Sequence, residues 1–193
     1  GSLKKFVDLR EKFSEAEACT VLKQIAEAFL TLEGKKIIGD LGESVKLIHG
    51  NLHPGNIMYD GNQIKVADFG LARLFREIDE YMAQDAVIQH PEYACPQVLN
   101  NERYTGKCDV WSAGVIIYEL IYGRLPWNGA TAAQVAENIR KKNVEFPFKI
   151  SRETKELILR MLTIGDEERI SWHEISTHKA LKNCKIPKAR KLL

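Results

Sequence analysis

Two short stretches hold the side chains best suited to chemistry. HGNLHPGNIM, residues 49–58, brings His49, Asn51, His53 and Asn56 close together, and VADFG, residues 66–70, supplies Asp68. Asn56 and Asp68 offer an amide oxygen and a carboxylate, hard donors of the kind that bind Mg²⁺ beside phosphates. The same residue types also cap and hydrogen-bond tight loops, so these two residues alone leave both readings open. Asn51 is an amide and cannot accept a proton as a carboxylate can. His53, and His90 further along, carry imidazoles with a reference pKa of about 6.5, unlike a permanent ammonium. Zinc is not suggested, because Cys19, Cys95, Cys108 and Cys184 are scattered, with no C-x-x-C pair and no Cys/His cluster.

Hydrophobic periodicity outlines the elements that must hold these residues. SEAEACTVLKQIAEAFLTL, 14–32, predicts an amphipathic helix: Ser14 and Glu17 make a capping box, and Leu22, Ile25, Phe29 and Leu32 fall at helical spacing. IMYDGNQIKVA, 57–67, predicts a β-hairpin around Asp60-Gly61. A largely apolar helix is expected over about 109–122, closed by Gly123. Further helices are expected near 131–142 and 151–163, and one starting at Ser171, where Glu174 completes a second capping box. GDLGESVKLI, 39–48, reads as a surface loop, and the tail from Lys182 as basic and irregular. The fold class is therefore mainly α with a small β-hairpin element, in one domain without repeats or linkers. The 193 residues, 45% hydrophobic, suffice for one buried core. A net charge of +2 does not point to nucleic acid or a membrane surface. The apolar run Val115–Ile121 is too short to span a bilayer and is broken by Glu119. No signal peptide is visible and Gly1-Ser2 resembles a cloning scar, so the expectation is an intracellular, cytoplasmic protein with reduced cysteines whose true N-terminus is missing.

Four stretches follow in fixed order: HGNLHPGNIM, VADFG, HPEYACPQVL (90–99) and DVWSAGVIIYELIYGRLPW (109–127). In this order and spacing the chain resembles the C-terminal lobe of a eukaryotic protein kinase over about residues 3–181, of the Ser/Thr type seen in calcium/calmodulin-dependent and autophagy-initiating kinases. The family's signature set is H-R-D-L-x-x-x-N, D-F-G and A-P-E. The resemblance implies that Asp68 and Asn56 match the Mg²⁺ ligands and that Asn51 stands where the catalytic Asp would be. It puts His53 at the place of a Lys that helps hold the transferring phosphate. His90 falls at the place of a Thr that ties the substrate loop to the catalytic loop. Asp40 of IIGDL cannot substitute for the missing Asp: the metal-binding Asn should come five residues later, which gives Val45 from Asp40 but Asn56 from Asn51. Residues 39–48 then read as an insertion before the catalytic loop, and 68–97 as the activation segment.

Regulation and scaffold can be read in the same way. Gly50 replaces an Arg that in many kinases binds a phosphorylated activation loop, and Leu71–Gln97 contains no Ser or Thr, only the hydroxyls of Tyr81 and Tyr93. CPQ replaces A-P-E, so Gln97 can accept a hydrogen bond from the matching Arg169 but cannot form an ion pair with it. Asp109 matches the residue that holds the catalytic-loop backbone, and His49 the loop's histidine. No Gly-rich loop and no Val-Ala-Ile-Lys strand is present, so an N-terminal lobe is missing from this chain. ATP and Mg²⁺ are expected only in an intact two-lobed parent, and no cofactor for this chain alone. The expected function is that of a pseudokinase: a protein-binding scaffold or allosteric module. Trp127, Phe146 and Phe148, near the groove at 124–150, are candidate anchors for a protein partner, or else core residues. The alternatives are a divergent Ser/Thr kinase and a non-catalytic ATP-binding switch. The basic tail, residues 182–193, lacks aromatics for base stacking, so nucleic acid is not expected to be a partner.

Overall fold

A computed structural model describes residues 1–10, 12–35, 37–38, 44–76 and 88–184, and winds them around one buried helix, α4 (Lys107–Tyr122). Every residue of α4 from Cys108 to Tyr122 is buried, as its apolar composition on all faces requires. Gly123, at φ 67, stops the helix in the left-handed region and returns its N–H to the Glu119 carbonyl at 2.8 Å. α2 (Glu15–Glu33) begins at the Ser14/Glu17 capping box and lays Ala18, Leu22, Ile25 and Phe29 into the core against α4. Its far end meets α7 (Trp172–Thr177), where the Phe29 and Trp172 rings stack with centroids 4.5 Å apart. α6 (Arg152–Met161) crosses α4 at Gly114; a Cβ there would lie 2.9 Å from the Met161 Cβ, so only glycine allows this approach. α5 (Ala132–Lys141) contributes Val135 and Ile139.

The predicted hairpin is present as β3 (Ile57–Tyr59) paired antiparallel with β4 (Ile64–Val66), Ile57 opposite Val66. The helices predicted at 14–32, 109–122, 131–142 and 151–163 and the one starting at Ser171 all form, within two residues of their expected bounds. The helical fold class with a small β element therefore holds, with additions. Two short helices were not foreseen: α1 (Leu3–Arg10), which buries Leu3 and Val7, and α3 (Pro96–Leu99). Gly1 and Ser2 bridge antiparallel to the β3 edge, with Tyr59 N–H donating to the Gly1 carbonyl at 2.7 Å.

One expectation needs correction. The loop expected at 39–48 holds strand β2 (Ser44–Ile48), which lies between β1 (Ile37–Ile38) and β5 (Arg73–Arg76) in a three-stranded antiparallel sheet. Residues 39–43 fall outside the described residues. The partner with the longer register, β5, is distant in sequence, so local polarity gave no sign of it. Of the two readings left open for Trp127, the core one holds: it is 7% exposed, its ring stacks on Trp111 at 5.5 Å, and its Nε1 donates to the Lys142 carbonyl at 2.8 Å. Phe146 is half-buried against Tyr118 and Tyr122, and only Phe148, 44% exposed, faces outward. A 3-10 turn at Lys179–Leu181 precedes the tail, no helix or strand includes 182–184, and Cys184 packs on the core; 185–193 lie outside the described residues. Among the described residues no helix is long and apolar enough to cross a membrane.

Candidate active site

Asp109, in the first turn of α4, fixes the start of the HGNLHPGNIM stretch. Its carboxylate accepts from the His49 N–H at 2.8 Å and the Gly50 N–H at 2.9 Å. Burial pushes the Asp109 carboxyl above the usual range, opposed by His49 and these two donors. Gly50 sits at φ 71, where glycine is the easiest residue to place. The fully buried His49 accepts the Asn51 N–H on Nδ1 at 3.2 Å, which assigns the ring proton to Nε2, 3.0 Å from the Ala67 carbonyl. The Phe69 ring meets the His49 ring edge-on at 4.8 Å. One buried carboxylate and one imidazole thus lock 49–51 to 67–69.

Asn51 is 8% exposed, and its side-chain nitrogen donates to Gln89 Oε1 at 3.2 Å. Its carbonyl accepts from Asn56 Nδ2 at 3.0 Å, which commits the Asn56 nitrogen and leaves the oxygen as the atom able to face a cation. His53 caps the 3-10 turn Pro54–Asn56 by accepting the Gly55 N–H on Nδ1 at 3.2 Å, and its ring lies 3.9 Å from that of His90. Burial, with His90 alongside, pulls His53 down to about 4, so at neutral pH it carries no charge. His90 in turn holds Glu92 at 3.3 Å. The His53 and His90 rings therefore meet, tilted by 31° to one another. Below them Tyr93 donates to Glu119 at 2.6 Å, and burial raises the Glu119 carboxyl.

Asp68 is exposed, in the left-handed region at φ 62 and ψ 69, and accepts the Gly70 N–H at 3.3 Å. Asn56 and Asp68 lie on stretches joined by the Ala67 N–H donating to the Asn56 carbonyl at 2.8 Å. Their donor chemistry fits Mg²⁺, but two protein ligands leave most of its coordination to phosphate oxygens and water. Among the described residues no group of three or more His, Cys, Asp or Glu is placed to hold a metal by itself.

Gln97 and Arg169 lie apart from this cleft and brace the fold. Arg169, 1% exposed, donates Nη2 to Gln97 Oε1 at 2.8 Å and Nη1 to Asp166 Oδ1 at 3.0 Å. Its other donors go to the carbonyls of Thr163, Lys107 and Ile164, each at 3.0 Å. The bond expected from Gln97 forms, but Arg169 does not lack an ion pair, because Asp166 supplies the carboxylate. Gln97 uses its amide nitrogen on the Ile164 carbonyl at 2.7 Å, a donation no carboxylate could make. Asp166 stands three residues before Arg169, a spacing that could have revealed it. The sequence offered no signal for Gln89 or for the Tyr93–Glu119 pair.

The family described as protein kinase domain matches residues 1–181. The chain belongs to the protein kinase family. Similar proteins include the serine/threonine-protein kinase atg1 of Dictyostelium discoideum, 30% identical over 94% of this chain and 26% of its own length. The probable serine/threonine-protein kinase MARK-C of the same organism is 31% identical over 92% of this chain and 22% of its own length. Calcium-dependent protein kinase 5 of Plasmodium berghei is 34% identical over 86% of this chain and 29% of its own length. The chain thus spans about a quarter of the length of these curated relatives. Within this kinase domain, the described site has two oxygen donors of the metal-binding type, an uncharged His53 beside His90, and the buried amide of Asn51.

Proposed function

We propose that this chain is the C-terminal lobe of a pseudokinase, whose parent protein acts by binding a protein partner as a scaffold or allosteric module. The observation that carries this reading is Asn51. Its side-chain nitrogen donates to Gln89, so the group at the catalytic Asp position presents a donor toward the activation segment, not a proton acceptor. Loss of general-base assistance alone lowers a rate by about 10² to 10⁴. The uncharged His53, packed against His90, adds a second deficit, since it offers no cation to a transferring phosphate. The exposed Phe148 is the surviving candidate anchor for the partner. The test is Asn51→Asp in a two-lobed parent. Restored phosphotransfer from this one change would refute the proposal, because the proposal holds that His53 also disables the site.

A second reading is favoured by Asn56 and Asp68. Their oxygens fit Mg²⁺ beside a nucleotide, and the similar proteins are named as serine/threonine kinases. It takes the parent to be a divergent Ser/Thr kinase, or a switch that binds ATP without catalysis. Mg-ATP should then raise the melting temperature of the parent, and Asp68→Ala should abolish the rise; an unchanged melting temperature removes this reading.

A further inference from the structure

The four cysteines play no part in the site, and they fall into two environments. Cys95 and Cys108 are sealed in the core, 1% and 4% exposed. Cys19 and Cys184 instead line one groove, formed by the start of α2, the start of α6 and the 3-10 turn at Lys179–Leu181. Lys23, one helical turn beyond Cys19, donates to the Cys184 carbonyl at 2.9 Å and holds that backbone against α2. Cys19 Sγ lies 3.6 Å from Thr154 Oγ1, and Cys184 Sγ 3.8 Å from the Ala180 carbonyl. Cys184 is also among the groups that raise the Cys19 thiol.

We propose that Cys19 and Cys184 form a redox modification site, at which a peroxide-class oxidant generates an intrachain disulfide that fastens the C-terminal segment to α2. The partly exposed Cys184 reacts first. Its sulfur attacks the peroxide, the O–O bond breaks, and a sulfenic acid and one water result. The Cys19 sulfur then displaces the sulfenic hydroxyl, which leaves as a second water with the Cys19 proton. Two thiols lose two electrons and two protons to one peroxide. Thr154 loses its sulfur contact but keeps its bond to Ser151 Oγ at 2.9 Å. Burial pushes the Cys19 thiol up to about 11, so the closing step should speed up as pH rises. The disulfide would fix the point from which the basic residues Lys185, Lys188, Arg190 and Lys191 depart.

The test uses the full chain, treated with hydrogen peroxide, alkylated under denaturing conditions, digested and analysed by mass spectrometry. The expected result is a linked Cys19–Cys184 peptide, with Cys95 and Cys108 alkylated as internal controls. The melting temperature should rise by about 5 °C or more, as cross-linking two positions far apart in sequence restricts the unfolded chain. Dithiothreitol should reverse the rise, and Cys184→Ser should never show it. Oxidation of Cys184 to sulfinic acid without a linked peptide, or linkage only between two chains, would overturn the proposal.

Discussion

Arg169→Met is the perturbation whose size the structure constrains best. The guanidinium is 1% exposed and satisfies Gln97, Asp166 and the carbonyls of Lys107, Thr163 and Ile164. Removing it strands the Asp166 carboxylate, although Thr105 still donates to Asp166 at 2.6 Å. Breaking a buried pair by removing one partner costs about 3–5 kcal/mol. For a domain of this size that is a fall of about 6–20 °C in melting temperature. The assay is urea and thermal unfolding of wild type, Arg169→Met, Asp166→Asn, Gln97→Met and the two doubles that include Arg169→Met. Charge-assisted bonds contribute about 1.5–3 kcal/mol each. Since Asp166 carries the charge, the Arg169–Asp166 coupling energy should exceed the Arg169–Gln97 coupling. A larger coupling to Gln97, or an Arg169→Met cost under about 1 kcal/mol, would refute the claim that the ion pair has moved to Asp166.

Three other predictions concern packing and protonation. Trp127→Ala should cost about 3–5 kcal/mol in urea unfolding and Phe148→Ala under about 1, because only Trp127 is stacked in the core. Gly114→Ala should cost about 1–3 kcal/mol, since the added methyl meets Met161 at 2.9 Å. His53 binds its proton less readily folded, near pH 4, than unfolded, near 6.5. It therefore lowers stability progressively as pH falls from about 6.5 to 4, and His53→Gln should flatten the melting-temperature profile in that window.

Legibility in the sequence followed the range of each interaction. The Ser14/Glu17 and Ser171/Glu174 boxes close within one turn, so their residue types and spacing revealed them. The Asp60-Gly61 turn was equally local. The pairing of β2 with β5 joins stretches separated by the catalytic loop and the hairpin, and no local pattern announces it. Trp127 stayed open because an aromatic beside a glycine-and-proline turn suits either an interface or a core; stacking on Trp111 decides it. In the candidate site, Asp109, His49 and Gln97 could be placed through the family's spacing. The tautomer of His49, the contact of His53 with His90 and the Asn51–Gln89 bond were beyond the sequence, since each depends on where a side chain points.

The most direct test of the proposed loss of catalysis is transfer of labelled γ-phosphate by the two-lobed parent protein in Mg²⁺, compared with its Asp68→Ala variant. The proposal predicts that the two are indistinguishable from background. Magnesium-dependent transfer by the parent that Asp68→Ala abolishes would contradict it and establish the divergent-kinase reading instead.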